Sequence, residues 1–567
     1  MKRIITIVLA AAAFSVAASA QDTYYAKMLS QNNYYGTARS VALGNAMTAL
    51  GGDLGSVNIN PAGAAVAYYS QLTLTPGLIF SSTGASYSPD GSETFGSPFR
   101  TPHTKFNIPN IGLTLSYFDD PGEFLTGMTM GFVANTTNTF LNYSTARGDN
   151  SSTSFLASLA AGANGVSPSN FPRDLYAGYW ANQFGEYGAE GSNRYVASNE
   201  RLNEAETVHY VPGTLDQTSM YNTYGTKTDM AFNLSFNILD CVYVGFNLGI
   251  PFMKYRREES FTEAALESGK FPVIFYDTQG EKTVKVPTNY VSSTNLYHLN
   301  TNATGVYAKF GFIALPTEHL RIGAAIQTPT LYGISESWYY GASTQFEDSY
   351  FNGEKSSSIG EAEYSLRTPY EFNAGIAYTL PGVGLFSVDY ELADYSVMKY
   401  TDASYDFYSD DSWASTNLAN RTFCGVSHSV RVGTEVKPLP YLSFRAGYTL
   451  VTDPEKYWLD DNGKMVTIET VQFLGNSSAI KQKLVESRYF DNITHSVSLG
   501  AGYSSPGSFF ADFAVRMTAY PVSYYSPYYY GAYDATDSSG RPLNVGAPLE
   551  RLERNVFDVL LTMGWRF

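Results

Sequence analysis

The sequence predicts an all-β protein: a transmembrane, antiparallel, up-and-down β-barrel of about fourteen strands with an N-terminal helical plug, or hatch. Aromatic residues make up 15% of the 567 residues and charged residues only 16%, which is typical of strands and unusual for the surface of a soluble protein of this size. Apolar and polar residues alternate in many segments, and the connections between these segments are alternately short and long. That alternation is typical of barrels with periplasmic turns and extracellular loops.

The first twenty residues have the features of a secretory signal peptide. Lys2 and Arg3 form a basic start, residues 4–16 are apolar, and Ala18-Ser19-Ala20 is a small-residue cleavage site before Gln21. Such a segment is removed on export and is too short to span a membrane. The residue after the cleavage site is not cysteine, so we expect an exported chain without a lipid anchor.

The next segment differs from the rest of the chain. Residues 34–50 are rich in small residues and lack strand alternation, which indicates short helices. Gly51-Gly52-Asp53 and then Asn60-Pro61-Ala62 follow. Small residues allow close backbone packing, and Gly and Pro end helices. We therefore expect a compact plug whose gating residues are Gly51, Gly52, Asp53, Asn60, Pro61 and Ala62.

The alternating segments define the strands of the barrel. An even number is what a single-chain bacterial barrel needs. The predicted strands are 72–81, 105–118, 124–143, 226–239, 241–260, 292–315, 318–336, 360–380, 383–400, 424–437, 441–452, 492–505, 507–521 and 555–567. Every second connection is a tight turn, as at Leu239-Asp240 and Pro381-Gly382, and the longest connection is 144–225. The domain organisation is then a signal peptide over 1–20, a plug over 21–70 and a barrel over 71–567.

The last segment shows the pattern most clearly. Phe557, Val559, Leu561, Met563, Trp565 and Phe567 share one face, and Asp558, Leu560, Thr562, Gly564 and Arg566 share the other. A lipid-facing strand has an apolar outer face about 9 to 11 residues long, with an aromatic residue at the interface. We therefore expect the chain to lie in the outer membrane of a Gram-negative cell.

Charged residues of both signs occur at inward-facing positions of the predicted strands. They are Asp229, Lys309, Arg321, Glu371, Asp389, Glu391, Arg431, Glu435, Arg445, Asp512 and Arg516. One interpretation is that they pair across strands and are structural. The other is that some hold the plug or bind the head group of a ligand, for which the candidates are Arg321, Arg431, Arg445, Arg516 and Glu435. A wholly apolar lumen is excluded.

Several kinds of chemistry find no support in the sequence. The net charge of −16 disfavours nucleic-acid binding. Two cysteines and six histidines without ligand spacing predict no metal site and no cofactor. Ser427 and His428 are adjacent and so point to opposite faces of a strand, which argues against a catalytic pair and an enzyme. A loop histidine, His103 or His209, leaves a haem-binding receptor as a weak alternative.

Residues 34–66, the fourteen-strand count and the aromatic C-terminus resemble the FadL/TodX family of outer-membrane transporters for hydrophobic compounds. The resemblance implies passive diffusion of long-chain fatty acids or similar molecules. In that family the solute is captured between extracellular loops, passes a pocket inside the barrel and exits laterally into the bilayer, with the plug's N-terminus as the moving part.

Two other functions stay open at this point. The barrel could anchor a secretion or assembly complex for surface proteins, with protein partners at the long loops, or it could form an aqueous pore. The partners expected are a hydrophobic small-molecule ligand and the lipid and lipopolysaccharide of the outer membrane. A monomer is expected.

Overall fold

The computed structural model describes most of the chain. The described residues are 23–92, 94–118, 124–189, 191–203, 209–279, 282–403, 412–459, 465–466, 483–485, 492–528 and 547–567. The predicted signal peptide, residues 1–20, lies outside them. The predicted turn at Asp119-Asp120-Pro121-Gly122 also lies outside the described residues.

Fourteen antiparallel strands form a closed barrel, which confirms the predicted fold class. Each strand pairs with its neighbours along the chain, and β14 closes the barrel on β1 through pairs from Gln71 with Arg566 to Ser88 with Leu549. Some strands have two segments, marked a and b. The strands are β1 Gln71–Ser88, β2 Phe99–Phe118, β3a Leu125–Asn138, β3b Asn142–Asn150, β4 Leu215–Ile238, β5 Val242–Ala265, β6 Lys282–Ala314, β7a Leu320–Gln327, β7b Leu331–Phe346, β8a Gly360–Arg367, β8b Glu371–Leu380, β9a Gly384–Asp394, β9b Lys399–Asp402, β10 Val426–Leu439, β11 Leu442–Thr452, β12 Ile493–Ser504, β13 Phe509–Ala519 and β14 Leu549–Arg566.

Helices and short strands make up the hatch and the long loops. The helices are α1 Thr23–Ser30, α2 Ala38–Ala42, α3 Phe155–Ala163, α4 Arg173–Trp180 and α5 Ala414–Phe423, with 3₁₀ turns at Leu54–Ser56, Pro61–Val66, Pro168–Asn170, Ser268–Lys270, Ser349–Phe351 and Tyr395–Val397. The short strands are Phe184–Glu186, Tyr195–Ala197, Arg201–Leu202, His209–Tyr210, Pro272–Gln279, Gly353–Ser356, Tyr457–Leu459, Met465–Val466, Lys483–Val485 and Ser523–Tyr525.

The barrel wall has an apolar outer face, as the alternation predicted. In β14, Phe557, Leu561 and Trp565 are exposed, whereas Asp558 and Thr562 between them are buried inside the barrel. A continuous apolar outer face on a closed barrel is the hallmark of an outer-membrane β-barrel. Among the described residues, no helix is long and apolar enough to cross a membrane.

Tight turns join the strands at one end of the barrel. Leu239 and Asp240 both have positive φ angles, 53° and 57°, as a type I′ hairpin turn requires. Gly382, with φ 75°, turns the chain between β8b and β9a. This end is the periplasmic one, because barrels have their short turns there and their long loops outside.

Several strands extend beyond the apolar belt or are interrupted near its outer edge. The predicted strand 318–336 is divided at residues 328–330 and the predicted strand 360–380 at residues 368–370. Pro329 and Pro369 lie in these interruptions. Proline lacks the N–H group that a ladder needs, so it ends regular pairing in each strand.

Candidate functional site

The hatch lies inside the barrel against inward-facing glycines of the wall. A Cβ atom at Gly245 would lie 2.4 Å from the backbone nitrogen of Ala62, and one at Gly323 would lie 2.2 Å from the carbonyl oxygen of Thr48. Both distances are far below van der Waals contact, so only glycine admits the hatch backbone there. The inward glycines that meet the hatch are Gly112, Gly245, Gly311, Gly323, Gly375, Gly433, Gly447 and Gly500.

The Asn60-Pro61-Ala62 triplet joins two parts of the hatch to the wall. The side-chain amide of Asn60 donates to the carbonyl oxygens of Thr48, at 2.7 Å, and of Phe312 in β6, at 3.0 Å. Its side-chain oxygen accepts from the N–H group of Ala62 at 3.1 Å. Asn60 therefore caps the turn that begins at Pro61 and also ties the hatch to β6.

Gly51-Gly52-Asp53 forms a close internal turn of the hatch. Gly51 and Gly52 have φ angles of 61° and 71°, in the left-handed region that favours glycine. The N–H group of Gly52 donates to the carbonyl oxygen of Gly63 at 2.8 Å. Asp53 accepts from the hydroxyl of Thr37 at 2.5 Å, and burial raises the pKa of this carboxyl.

Two arginines of the wall bind backbone carbonyl groups of the hatch. Arg321 donates to the carbonyl oxygen of Leu50 at 2.7 Å. Arg516 donates to that of Tyr34 at 3.0 Å and also to Asp558 at 2.8 Å. Buried cations need such partners, because an uncompensated charge in the interior is costly.

Arg445 and Glu435 belong to a charged cluster shared by wall and hatch. Glu435 accepts from Arg445 at 2.6 Å and from Arg39 of the hatch at 3.3 Å. Arg445 also contacts Asp512 at 2.5 Å. Glu435 therefore links Arg445 of the wall to Arg39 of the hatch.

Arg431 contacts a carboxylate of the wall and an aromatic ring of the hatch. It pairs with Glu391 at 2.8 Å and lies over the ring of Tyr34, 5.0 Å from the ring centre. Close by in β9a, Asp389 accepts from the N–H group of Thr48 at 2.6 Å. The structure thus gives each of the five predicted lumen residues a partner in the hatch or the wall.

Sequence reasoning missed the contact between Lys227 and the N-terminal helix. The ammonium of Lys227 donates to the carbonyl oxygens of Leu29, at 3.0 Å, and Gln31, at 3.3 Å, at the end of α1. A cation at a helix C-terminus satisfies carbonyl groups that the helix leaves unpaired. One signal was available: Lys227 has the same inward phase as Asp229 in the predicted strand.

Hatch and wall enclose a small cavity inside the barrel. A cavity of about 10 Å³ lies between α1 and the wall, bounded among others by Ser30, Lys227, Asp229, Tyr307 and Glu371. Such a volume has room for about one water molecule. The hatch therefore plugs the barrel at the level of α1.

The wall is broken between β2 and β3. β2 pairs with β3a only from Asn110 to Phe118. Its outer half, Phe99–Asn107, pairs with β1 on one edge and has no ladder partner on the other edge among the described residues. β3b instead stays paired with β4, from Asn142 to Asn150.

The break arises where β3 bends into the lumen. Phe140 has a φ angle of 52°, an uncommon conformation for a bulky residue. Its N–H group is bound by the side chain of Asn138 at 3.0 Å, and its carbonyl oxygen accepts from Thr223 at 2.7 Å. Beyond the bend, the ring of Tyr143 stacks on the inward-facing His103 with ring centres 3.9 Å apart.

Two polar side chains cross the break. Lys105 of β2 donates to the carbonyl oxygen of Gly225 and, at 3.3 Å, to the hydroxyl of Thr226, both in β4. Asn107 reaches Thr136 with 3.5 Å between the amide nitrogen and the hydroxyl oxygen. Flexible side chains hold this part of the wall in place of a main-chain ladder.

Comparison with solved structures gives full-length similarities. The Pseudomonas putida toluene transporter TodX has 11% identity and a TM-score of 0.45, with 94% of this chain and 98% of that chain covered. A Pseudomonas aeruginosa FadL homologue has 12% identity and a TM-score of 0.46, with 95% and 99% covered. The Ralstonia pickettii toluene transporter TbuX has 12% identity and a TM-score of 0.43, with 94% and 98% covered.

At these identities and TM-scores, the transport activities are those of the proteins named. No family model and no curated protein sequence matches the chain.

Proposed function

We propose that this barrel carries hydrophobic or amphipathic small molecules across the outer membrane by passive diffusion. Long-chain fatty acids are the model substrates. The observation that carries the proposal is the break between β2 and β3 beside a plugged lumen. A solute that enters from the extracellular loops meets the hatch below it, whereas the break offers a route sideways.

Burial energies favour a lateral exit for such a solute. Each CH₂ group gains about 0.8 kcal/mol when it leaves water. An exit through the wall delivers the solute to the hydrocarbon and avoids the aqueous periplasm. The residues next to the break on the outer face of β2 include Phe106 and Ile108, which are exposed.

The plugged lumen disfavours a simple aqueous pore. The lumen cations at the predicted positions already have partners, so they do not form a vacant ion path. Arg445 is bound by Glu435 and Asp512, and Arg431 by Glu391. A solute with an apolar body fits the wall break better than an ion does.

A reversible cross-link across the break tests the proposal. The variant Asn107→Cys/Thr136→Cys, made with Cys241→Ser to remove the exposed native thiol, joins β2 to β3a. We expect uptake of labelled oleate into proteoliposomes to fall to background when the cross-link is oxidised and to recover on reduction. A matched control is Ser496→Cys/Thr518→Cys, because those hydroxyls lie 2.9 Å apart in the continuous wall of β12 and β13.

Oxidation of the control pair is expected to leave uptake unchanged. If the oxidised break variant takes up oleate at the full rate, the lateral route is wrong. If no form of the protein, including the unmodified chain, accelerates uptake, then transport itself is wrong and the barrel is a structural or assembly component.

A further inference from the structure

Two cations lie directly opposite each other on the outer face of the barrel. Arg367 of β8a and Lys399 of β9b are register partners, and both side chains are exposed. Like charges that face each other across antiparallel strands repel. Among the described residues, neither forms an ion pair, and Arg367 donates only to the carbonyl oxygen of Val397, at 3.3 Å.

A groove opens in the wall next to this pair. It has a volume of about 480 Å³, and its lining includes Lys254, Asn302, Thr304, Gly333, Ser335 and Ser365. Most of these outward side chains are small, so the wall surface is recessed between larger neighbours. Ser365 and Arg367 are successive outward positions of β8a, so the cation pair borders the groove.

The groove lies at the edge of the membrane-facing belt. Its lower rim includes Phe252, which is exposed, and the next outward residue of β7b below Gly333 is the exposed Leu331. Above this level, the outward residues of β5 are Lys254 and Arg256. The change from apolar to charged residues marks the level of the lipid head groups on the side of the long loops.

Three cations, Lys254, Arg367 and Lys399, lie in the groove or beside it, against two outward carboxylates, Glu363 in the lining and Glu361 next to it on β8a. Lys254 lines the groove and, like Lys399, forms no ion pair with any residue that the structure describes. These cations stand out in a chain whose net charge is −16. The carboxylate in the lining is Glu363, which is the register partner of Ser335. On the following strands, Ser335 pairs with Asn302, and Asn302 pairs with Lys254.

We propose that the groove binds the phosphorylated sugar head group of an outer-leaflet glycolipid, the lipid A part of lipopolysaccharide. Lys254, Arg367 and Lys399 contact its phosphates, and Asn302, Ser335 and Ser365 provide hydrogen bonds for its sugar hydroxyls. The acyl chains lie against Phe252 and against Leu331, which is the register partner of Arg367 at the edge of the apolar belt. Basic clusters at a membrane surface recognise anionic lipid head groups in this way.

Native mass spectrometry of the full-length barrel in detergent, titrated with bisphosphorylated lipid A, tests the site. We expect Lys254→Gln/Lys399→Gln to weaken the tightest binding event by at least about tenfold. Glu363→Gln is expected to strengthen it, since a repulsive carboxylate is removed. Both variants keep the strand pairing, and retention of the compact barrel on unheated gels checks that they fold.

Arg551→Gln serves as the matched control, because Arg551 is on another part of the wall and contacts Glu553 at 2.6 Å. It is expected to bind lipid A like the unmodified chain. The site is overturned if the double variant and the unmodified chain bind bisphosphorylated lipid A equally. It is also overturned if dephosphorylated lipid A binds as tightly, or if millimolar inorganic phosphate alone displaces lipid A completely.

Discussion

Two irregularities in the wall of this barrel differ in their consequence for strand pairing. At β7 and β8 both strands are interrupted at the same level, yet their pairing resumes at once. Gln327 pairs with Glu371 below the interruption, and Leu331 pairs with Arg367 above it. Between β2 and β3, in contrast, the pairing ends at Asn110 and does not resume among the described residues.

The two regions differ in the number of strands that depart from regular pairing. At β7 and β8, three residues are inserted in each strand at the same height, so the register is kept. The N–H group of Thr330 donates to the hydroxyl of Thr368 at 2.9 Å, and the N–H group of Thr368 donates to the carbonyl oxygen of Thr330 at 3.0 Å. At the break only β3 bends, and β2 loses its partner. A matched pair of interruptions preserves a wall, and a single bend opens it.

Removal of the hatch's first part is expected to have the largest effect on this comparison. Deletion of residues 21–49 removes the backbone groups of Asn33 and Tyr35 that donate to Thr137 and Thr136 beside the break. The barrel ladders, including those at β7 and β8, keep their main-chain bonds. We therefore expect a folded barrel with severalfold higher single-channel conductance and altered uptake of labelled oleate.

The full-length chain recorded in the same bilayers is the control. Unchanged conductance and unchanged uptake in the deletion variant would mean that this part of the hatch is only a cap. The β2–β3 break would then be no better supported as a transport route than the interruption at β7 and β8.

The sequence contained part of this contrast. Pro329 and Pro369 interrupt otherwise alternating segments, so the interruption at β7 and β8 was visible in principle, although both strands were predicted as continuous. The bend of β3 had no such signal. Thr139-Phe140-Leu141 contains no glycine or proline, and the hydrogen bonds of Phe140, which has a positive φ, come from Asn138, two residues before it, and from the distant Thr223.

The sequence likewise predicts only part of the lumen. Alternation alone placed the charges of β4 to β13 inside the barrel, because the side of the wall that a residue faces follows from strand phase. Their partners depend on which strands are adjacent and on where the hatch lies, and the sequence does not carry this information directly. The surface of the wall that contacts the hatch could have been predicted from the sequence. Glycines such as Gly245 and Gly323 occupy inward positions of strands, which indicates the close approach of another backbone.

A pair of threonine substitutions compares the cohesion of the two regions. Thr368→Val leaves the buried N–H group of Thr330 without its acceptor, which costs about 1–3 kcal/mol. Thr136→Val removes only the 3.5 Å contact with Asn107, which is expected to cost less than about 0.5 kcal/mol. Urea unfolding of both variants in lipid vesicles measures the two free energies. Equal losses would show that the break is held as firmly as the interruption.

Lys105 is one of the two side chains that cross the break, the other being Asn107. Lys105→Met removes its donors to Gly225 and Thr226 but keeps most of its apolar stem. Because both hydrogen bonds are only partly buried, we expect the free energy of unfolding to change by less than about 1 kcal/mol. The wall opens more readily without the bridge, so the rate of oleate uptake is expected to rise. Lys270→Met, in an extracellular loop beside Glu267, is the control and is expected to leave that rate unchanged. A lower rate in Lys105→Met would mean that the lysine assists passage and does not restrain it, and that the break needs its cation to function as a path.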